Sequence, residues 1–289
     1  MWGSPCAFPC RFRFSAQMTP VSNVFSRTTS AGRMAFMPFV TAGDPDTATT
    51  AAVLLALRDA QVDLIELGFP YSDPIADGPV IQASYTRALQ RGITVEKIFG
   101  MMQALRDQQL PPVLAMVSFA ILFRHGVGEF IRQAAASGFS GLIIPDLPAD
   151  ECEETATLAK QAGLDLIQLI APTTTERRTA QILQASSGFL YCISVAGTTG
   201  VRQELPEELS TQLRALRSRS TLPLAVGFGI SGPDQVAALA GLADGVIVGS
   251  AIVRKISEAQ GVQAAGEAAG RFARQMQSAV AASKPSLSR

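Results

Sequence analysis

The sequence is poor in the side chains on which most metal and nucleophile chemistry depends. It contains a single histidine, His125, among 289 residues, which excludes His-rich metal sites and argues against a His-based nucleophile triad. We interpret this histidine, which precedes Gly126, as part of a surface turn. The lysines fall on predicted helices or in the tail, so none is placed for a Schiff base; they are Lys97, Lys160, Lys255 and Lys284. The chemistry must therefore come from carboxylates, hydroxyls or backbone groups.

Basic runs, long hydrophobic runs and cysteine patterns are also missing. The 24 Lys and Arg residues balance 24 Asp and Glu residues, and no basic run exceeds two residues, which disfavours nucleic acid or an anionic membrane as a partner. The longest apolar stretch, residues 113–123, is too short to span a bilayer. The four cysteines form no disulfide or metal-binding pattern, which indicates a reducing compartment. We expect a soluble, cytoplasmic protein.

Acidic residues are absent from the first 43 positions, which do contain arginines. This composition is typical of an organellar transit segment, which would direct the protein to an organelle. The alternative, which we favour, is an over-long gene start with Met18 as the true initiator. We expect residues 1–20 to be a disordered leader or mis-called start, and residues 21–289 to form one domain.

Apolar runs alternate with helical patterns along the rest of the chain. Eight runs have the length of strands, at residues 35–42, 62–68, 113–117, 141–145, 164–170, 189–194, 222–227 and 245–248. Helical patterns cover residues 46–60, 78–90, 94–109, 128–136, 175–185, 206–219, 233–240, 251–258 and 262–282, and Asp150 with Glu153 predicts a capping pair for one more helix. Continuous apolar strands separated by helices imply a parallel sheet covered on both faces. Eight such units fit a single (β/α)8 TIM barrel with extra helices, whereas the alternative, a doubly wound open sheet, lacks its GxGxxG turn.

Carboxylates concentrate in residues 62–82, VDLIELGFPYSDPIADGPVIQ. Glu66 lies within an apolar run, where burial of a charge is costly, and Asp73 and Asp77 follow in a loop of turn-forming residues. Reactive groups of a barrel collect at the carboxyl ends of its strands, so we interpret the three as an acid–base site. The alternative is that Glu66 pairs with an arginine or faces solvent while the aspartates only form turns.

Glycine-rich segments follow the last two predicted strands. Gly229 lies in GFGIS, and Gly249 with Ser250 follows the eighth strand. Barrels commonly hold phosphate at this position, and the N–H groups at a helix start attract an anion. Ser231 and Asp234 are expected to form a capping box for the helix that follows. These segments predict a phosphorylated ligand.

The segment after the sixth strand, SVAGTTGVR, is small and flexible. It predicts a mobile lid over the site, with an ordinary long loop as the alternative. Tyr191, inside the strand before it, fits the core as well as the site. Together with Glu66 and a loop aspartate, these features indicate acid–base chemistry on a phosphate-bearing substrate.

Several blocks of the sequence resemble, in order, those of the tryptophan synthase alpha subunit family: GRMAFMPFVTAGDPD, IELGFPYSDPIADGP, IIPDLPADE, YCISVAGTTG, VGFGIS and GSAIV. The resemblance covers nearly everything from residue 33 to residue 253. It implies a (β/α)8 barrel that cleaves indole-3-glycerol phosphate to indole and glyceraldehyde 3-phosphate, without a cofactor, in tryptophan biosynthesis. It also implies a pyridoxal-phosphate beta subunit as the partner in an alpha2beta2 heterotetramer. The alternatives are a stand-alone lyase that releases free indole and a silent subunit that only activates a partner.

The resemblance implies roles for individual residues. Glu66 would be the acid–base residue, and Asp77 would accept from the indole N–H and stabilise the positive charge that develops. Apolar surroundings should keep Glu66 protonated while loop-exposed Asp77 stays ionised, and the presence of both argues against a silent subunit. Other implied positions are Phe39, Met116 and Ile170 facing the indole ring, Tyr191, Thr199 and Gly200 lining and closing the site, and Gly229, Gly249 and Ser250 at the phosphate.

The sequence departs from its family after the third predicted strand. Many members carry a tyrosine and an asparagine where this chain has Ser118 and Ala120. These positions border the indole pocket and the beta-subunit surface. The departure therefore predicts an intact catalytic pair with weaker coupling to the partner.

Overall fold

Eight parallel strands close into a barrel in a computed structural model, which describes residues 18–74, 77–193, 207–227 and 229–283. Each strand pairs with its neighbour in the chain, and the eighth pairs with the first. The strands are β1 (Ala35–Thr41), β2 (Ile65–Gly68), β3 (Val113–Met116), β4 (Phe139–Ile143), β5 (Asp165–Ile170), β6 (Leu190–Ile193), β7 (Leu224–Gly227) and β8 (Gly245–Val248). The predicted barrel is confirmed, and the open sheet was wrong.

Helices surround the barrel. They are α1 (Pro20–Ser30), α2 (Thr47–Asp59), α3 (Pro79–Gln90), α4 (Val95–Ala104), α5 (Phe119–His125), α6 (Val127–Ala136), α7 (Glu153–Gln161), α8 (Glu176–Ala185), α9 (Glu207–Arg217), α10 (Ser250–Glu258) and α11 (Val262–Ala282). Short 3₁₀ segments lie at Arg106–Gln108, Pro233–Gln235 and Ala237–Leu239. Within the described ranges no helix is both long enough and apolar enough to cross a membrane.

The strands divide the core into two layers. Along β1, Ala35 and Met37 point into the barrel, whereas Phe36 and Val40 pack between the strands and the helices, as the alternation of side chains on a strand requires. The barrel is therefore filled by an interior cluster, which we define by its buried members Val21, Val24, Phe25, Ala35, Met37, Leu64, Leu114, Ile143, Ile167, Phe189, Tyr191, Ala225 and Ile247.

The first helix, α1, seals the amino-terminal end of the barrel, and the sequence did not predict it. Thr19 caps it by accepting from the Ser22 backbone N–H at 3.1 Å. Val21, Val24 and Phe25 belong to the interior cluster, so this end of the barrel is closed by apolar contacts. The predicted leader, residues 1–20, lies mostly outside the described residues, which begin at position 18.

The second strand begins later than predicted, at Ile65. Asp63, expected inside the strand, is buried and accepts from the backbone N–H of Phe36 at 3.0 Å. It also binds both terminal nitrogens of Arg33, each at 2.7 Å. The residue therefore anchors the start of β1 instead of extending β2.

Three helix predictions were wrong in detail. The helix at residues 94–109 tightens after Ala104, where Leu105 N–H donates to the carbonyls of both Met101 and Met102, and a 3₁₀ segment follows. The helix at residues 233–240 is two 3₁₀ segments between Gly232 and Gly241. Asp150 does not cap α7, since a turn closed by the Glu151 N–H occupies the chain before it. The N-cap is Cys152, whose side chain makes no capping bond to the helix.

His125 ends α5 and is not part of an exposed turn. Its ring meets Phe130 edge-on, with centroids 5.8 Å apart, and its Nε2 lies 3.2 Å from Gln133 Oε1. The packing of the ring against an aromatic cluster accounts for the residue structurally.

Candidate active site

Glu66 is fully buried and is the second residue of β2, two residues before the strand ends at Gly68. It pairs in register with Phe39 of β1 and Leu114 of β3, and neither carboxylate oxygen has a hydrogen-bond partner in the described structure. Burial raises the pKa of Glu66 to about 8, because a charge loses its hydration there. Among the described residues, an arginine pair and a solvent-facing side chain are excluded, and burial favours the protonated, neutral form of the group.

Asp77 follows β2 in the loop that leads to α3. Its backbone N–H donates to the Pro74 carbonyl at 3.1 Å, and its own carbonyl accepts from Gln82 Nε2 at 2.8 Å. Burial raises the pKa of Asp77 to about 6, opposed by a hydrogen bond from the Tyr71 hydroxyl. The prediction of a loop-exposed carboxylate was wrong, since the side chain is half-buried, but its pKa still lies below neutrality.

Glu66 and Asp77 influence the pKa values of the same two buried tyrosines. The charges of both carboxylates help to raise the pKa of Tyr85 and of Tyr191, after the larger effect of burial. Coulombic influence falls with distance, so both acids lie near the same pair of tyrosines. Two carboxyl groups with separated pKa values in one site can serve as an acid and as a fixed charge.

Asp73 lies at the rim and is exposed. Its carboxylate accepts from the neighbouring Ser72 hydroxyl at 2.8 Å. The loop therefore brings Asp77, and not Asp73, into the buried part of the site.

Two aromatic rings, Phe39 and Tyr85, pack over Gly68 at the end of β2, and we call them the aromatic wall. Phe39 packs with Tyr85, Ile81 and the partly buried Met116. A Cβ at Gly68 would lie 2.4 Å from Phe39 Cζ and 2.8 Å from the Tyr85 hydroxyl. Glycine is required here because two rings cover its Cα, and Phe39 is held beside the strand that carries Glu66.

A second glycine, Gly227 at the end of β7, admits Tyr191 in the same way. A Cβ there would lie 2.5 Å from the Tyr191 hydroxyl oxygen. Tyr191 is therefore a buried ring that crosses the barrel mouth between β6 and β7. The sequence left its position open between core and site, and the side chain belongs to the interior cluster while also facing the two acids.

Ile170 lies in the other layer. It is the last residue of β5 and packs in the cluster between the strands and the helices, whereas its neighbour Leu169 packs against the interior cluster. The expected position of Ile170 beside Phe39 and Met116 is therefore not found. Side chains alternate along a strand, and the position that the family resemblance implied for Ile170 lies on the other face.

The glycine-rich segments after β7 and β8 form the far end of the site. Gly229 has φ +88°, a conformation that L side chains rarely adopt. Gly249 is the N-cap of α10, which no side chain caps, so the first N–H groups of the helix, at Ser250 and Ala251, have no partner within it. Phe39 lies against this end too, since a Cβ at Gly249 would be 3.7 Å from Phe39 Cβ. The aromatic wall thus joins the acids to an anion-attracting end.

Thr199 and Gly200, together with the predicted lid, lie outside the described residues. Among the residues that are described, no group of three or more His, Cys, Asp or Glu side chains could hold a metal ion.

Sequence reasoning missed three side chains that shape this site. Tyr71 hydrogen-bonds to Asp77, Tyr85 lies beneath Tyr71 with ring centroids 5.6 Å apart, and Gln82 donates to the carbonyls of Pro74 and Asp77. The buried positions of α3, at Ile81, Ser84, Tyr85 and Ala88, follow a helical period that could have identified Tyr85. The bonds of Gln82 depend on the fold of the loop and leave no signal in the pattern.

Comparison with known proteins assigns a family to this geometry. A family model described as Tryptophan synthase alpha chain matches residues 25–281. A tryptophan synthase alpha chain of Rhodopirellula baltica is 44% identical over 275 residues, covering 91% of this chain and 99% of that relative. The crystal structure of tryptophan synthase subunit alpha from Legionella pneumophila superposes with a TM-score of 0.83 at 33% identity, covering 91% of this chain and 99% of that one.

A structure of a tryptophan synthase complex is similar as well. In the complex from Pyrococcus furiosus, the matched chain superposes with a TM-score of 0.77 at 34% identity, covering 85% of this chain and 99% of that one.

Proposed function

The chain belongs to the tryptophan synthase alpha chain family, and from this premise we propose that Glu66 and Asp77 carry out its lyase reaction, the retro-aldol cleavage of indole-3-glycerol phosphate. The observation that carries the proposal is Glu66, a fully buried carboxyl group without a hydrogen-bond partner in the described structure. Its raised pKa, about 8, gives it a proton to donate at neutral pH. A general acid is most effective when its pKa lies near the working pH.

The reaction balances with Glu66 as the single proton carrier. Its carboxyl group donates a proton to the ring carbon that bears the glycerol chain, which makes the indole a cationic leaving group. The resulting carboxylate then removes the proton from the hydroxyl on the attached carbon as the carbon–carbon bond breaks. The electron pair of that bond neutralises the ring, an aldehyde forms, and Glu66 ends protonated as it began.

Asp77 supplies the fixed negative charge. Its carboxylate accepts from the indole N–H and stabilises the cation that ring protonation creates, an electrostatic role that is strongest where water is excluded. The hydrogen bond from Tyr71 and the bonds from Gln82 to the loop carbonyls support this role, because a preorganised charge needs no rearrangement during the reaction.

The other site residues bind the two ends of the substrate. Phe39 and Met116 border the indole ring, and Tyr191 forms the wall opposite. Gly229, Gly249 and Ser250 present backbone N–H groups to the phosphate. For Thr199 and Gly200 we keep the role that the family resemblance implies, closure of the lid. We leave Ile170 out, because Leu169 faces the interior in its place.

We propose a beta subunit as the partner, in an alpha2beta2 complex, and an exposed aromatic surface supports it. Phe123 of α5 is 73% exposed, and its ring centroid lies 6.4 Å from that of Phe119. Ser118, which stands where many members carry a tyrosine, donates to Asp146 at 2.6 Å and caps α5. The serine therefore fixes the start of the helix that presents Phe123, and weaker coupling to the partner than in other members stays a prediction. The similarity to bacterial relatives supports a cytoplasmic location.

Purified full-length protein should release indole and glyceraldehyde 3-phosphate in equal amounts from indole-3-glycerol phosphate. A beta subunit from the same source should raise the rate, because it stabilises the closed site. By reciprocity, a bound substrate analogue should tighten the subunit complex by the factor by which the beta subunit tightens the analogue. Both quantities are measured by titration alongside the indole assay.

The outcomes separate the alternatives. Indole release without association at micromolar concentrations favours the stand-alone lyase. Association without indole release in either state favours the silent subunit and contradicts the proposed reaction.

A further inference from the structure

The loop after β7 is closed by a side chain to which the sequence assigned no role. Ser231 and Asp234 were expected to cap the next helix, but Gly232 precedes the 3₁₀ segment Pro233–Gln235 and no side chain caps it. The carboxamide of Gln235 instead reaches back over the loop. The predicted capping box was therefore wrong, and a different residue orders this segment.

The Gln235 side chain both accepts hydrogen bonds from the loop and donates one to it. Its Oε1 accepts from the backbone N–H of Ser231 at 2.6 Å and from the Ser231 hydroxyl at 3.0 Å. Its Nε2 donates to the Gly229 carbonyl at 3.2 Å. One orientation of the amide satisfies all three contacts, since the oxygen must face two donors and the nitrogen a carbonyl.

These bonds fix which backbone groups the loop can offer to an anion. The Gly229 carbonyl, which would repel a phosphate, is held toward Gln235. The peptide after Gly229 is planar and trans, so the N–H of Ile230 points away from that carbonyl. Gly229 itself has φ +88°, and a Cβ added to it would meet nothing within 4 Å, so the space beside its Cα is open, and the bond from Gln235 to its carbonyl helps to hold its conformation.

We propose that Gln235 is a positioning residue for the phosphate end of the substrate: its carboxamide holds Gly229 and Ser231 in the conformation that receives the anion. The inference rests on the proposed function, since it takes the segments after β7 and β8 as the phosphate site. Gln235 acts through the loop and does not touch the reacting atoms. It should therefore govern the affinity for phosphate and leave the proton transfers at Glu66 unchanged.

Gln235→Ala should weaken the binding of glycerol phosphate and raise KM for indole-3-glycerol phosphate, each by roughly tenfold, the order expected when a few hydrogen bonds are lost. The kcat at saturating substrate should stay near the wild-type value. Turnover of indole-3-glycerol, the same substrate without its phosphate, should be unchanged, which a general structural defect would not allow. Calorimetry gives the glycerol phosphate affinity, and the indole assay gives the kinetic constants.

Three further variants serve as controls for Gln235→Ala. Gln263→Ala removes an exposed bond to Glu267 on α11 and should match wild type throughout. Gly249→Asp places a carboxylate at the N-terminus of α10 and should abolish glycerol phosphate binding. Gln235→Glu keeps the side-chain length and the acceptor for Ser231, but it loses the donor to Gly229 and adds a negative charge beside the phosphate site. It should therefore bind phosphate more weakly than the alanine variant, and it provides the same test if alanine does not fold.

Unchanged glycerol phosphate affinity in Gln235→Ala would overturn the inference, and so would an equal loss of turnover on the phosphate-free substrate. Loss of binding in Gly249→Asp with none in the Gln235 variants rejects the role of Gln235 and keeps the phosphate site. Unaffected binding in Gly249→Asp as well rejects the phosphate site itself.

Discussion

Replacing Glu66 with glutamine should abolish indole release, by roughly 10²- to 10⁴-fold or more, the range for loss of a positioned acid–base group. Glutamine has the shape of a protonated glutamate but cannot transfer the proton. Its effect should be confined to kcat, with substrate-analogue affinity nearly unchanged, because Glu66 acts on the transition state. The measurement is kcat from indole release, with the analogue affinity from calorimetry.

Glu66→Gln should fold normally, and its free energy of unfolding should lose the contribution that Glu66 makes to its pH dependence. Folding raises the pKa of Glu66 from an ordinary value of 4.5 to about 8, so between these values the folded chain holds a proton that the unfolded chain has released. Wild-type stability therefore contains a contribution that falls as pH rises through this window. Glutamine does not titrate, and Glu66→Gln should be no less stable than wild type at neutral pH in thermal unfolding.

A matched control lies at the other end of the barrel. Asp165 is also buried, with one carboxylate oxygen unpartnered in the described structure and a pKa raised by burial, but it begins β5 at the amino-terminal end. Asp165→Asn should keep kcat. Turnover within tenfold of wild type in Glu66→Gln, or a comparable loss in Asp165→Asn, would contradict the assignment of the acid.

Asp77→Asn should lower kcat by roughly 10²- to 10⁴-fold, since it removes a charge that stabilises the cationic ring in a partly buried site. The asparagine keeps the size of the side chain, so the loop bonds to its backbone from Gln82 can remain. Asp73→Asn is the control, because Asp73 is exposed and bonded to Ser72; assayed without the beta subunit, it should retain activity.

The pH profile distinguishes the roles of the two acids. The wild-type rate should fall below about pH 6, where Asp77 gains its proton, and above about pH 8, where Glu66 loses its own. Asp77→Asn should keep the alkaline limb and lose the acid limb. An acid limb that persists in this variant, or a kcat equal to wild type, would show that the charge at Asp77 is not used.

The barrel could be predicted because its signal is repeated eight times along the chain. A buried parallel strand reads as a continuous apolar run, and the errors at its ends reflect partners elsewhere: β2 starts late because Asp63 binds Arg33 and the backbone of Phe36. Helix α1 escaped prediction because its apolar residues close the barrel, a role that exists only once the strands have assembled.

The acidic pair was predictable in identity and less so in environment. A glutamate within an apolar run is conspicuous, and Glu66 lies where it was expected. Tyr71, Tyr85 and Gln82 lie near Asp77 only once the loop has folded, so the sequence did not reveal its partial burial. The exposed assignment failed for that reason, and so did the capping box at Ser231, since the sequence does not reveal that Gln235 folds back on it.

The protonation state of Glu66 tests the central claim most directly. Difference infrared spectra of wild type minus Glu66→Gln isolate the carboxyl group of this one residue. A protonated carbonyl band should be present at pH 7 and disappear as pH rises through about 8. An ionised carboxylate at pH 7, with protonation only near the ordinary glutamate pKa of 4.5, would contradict the account of Glu66 as the proton donor.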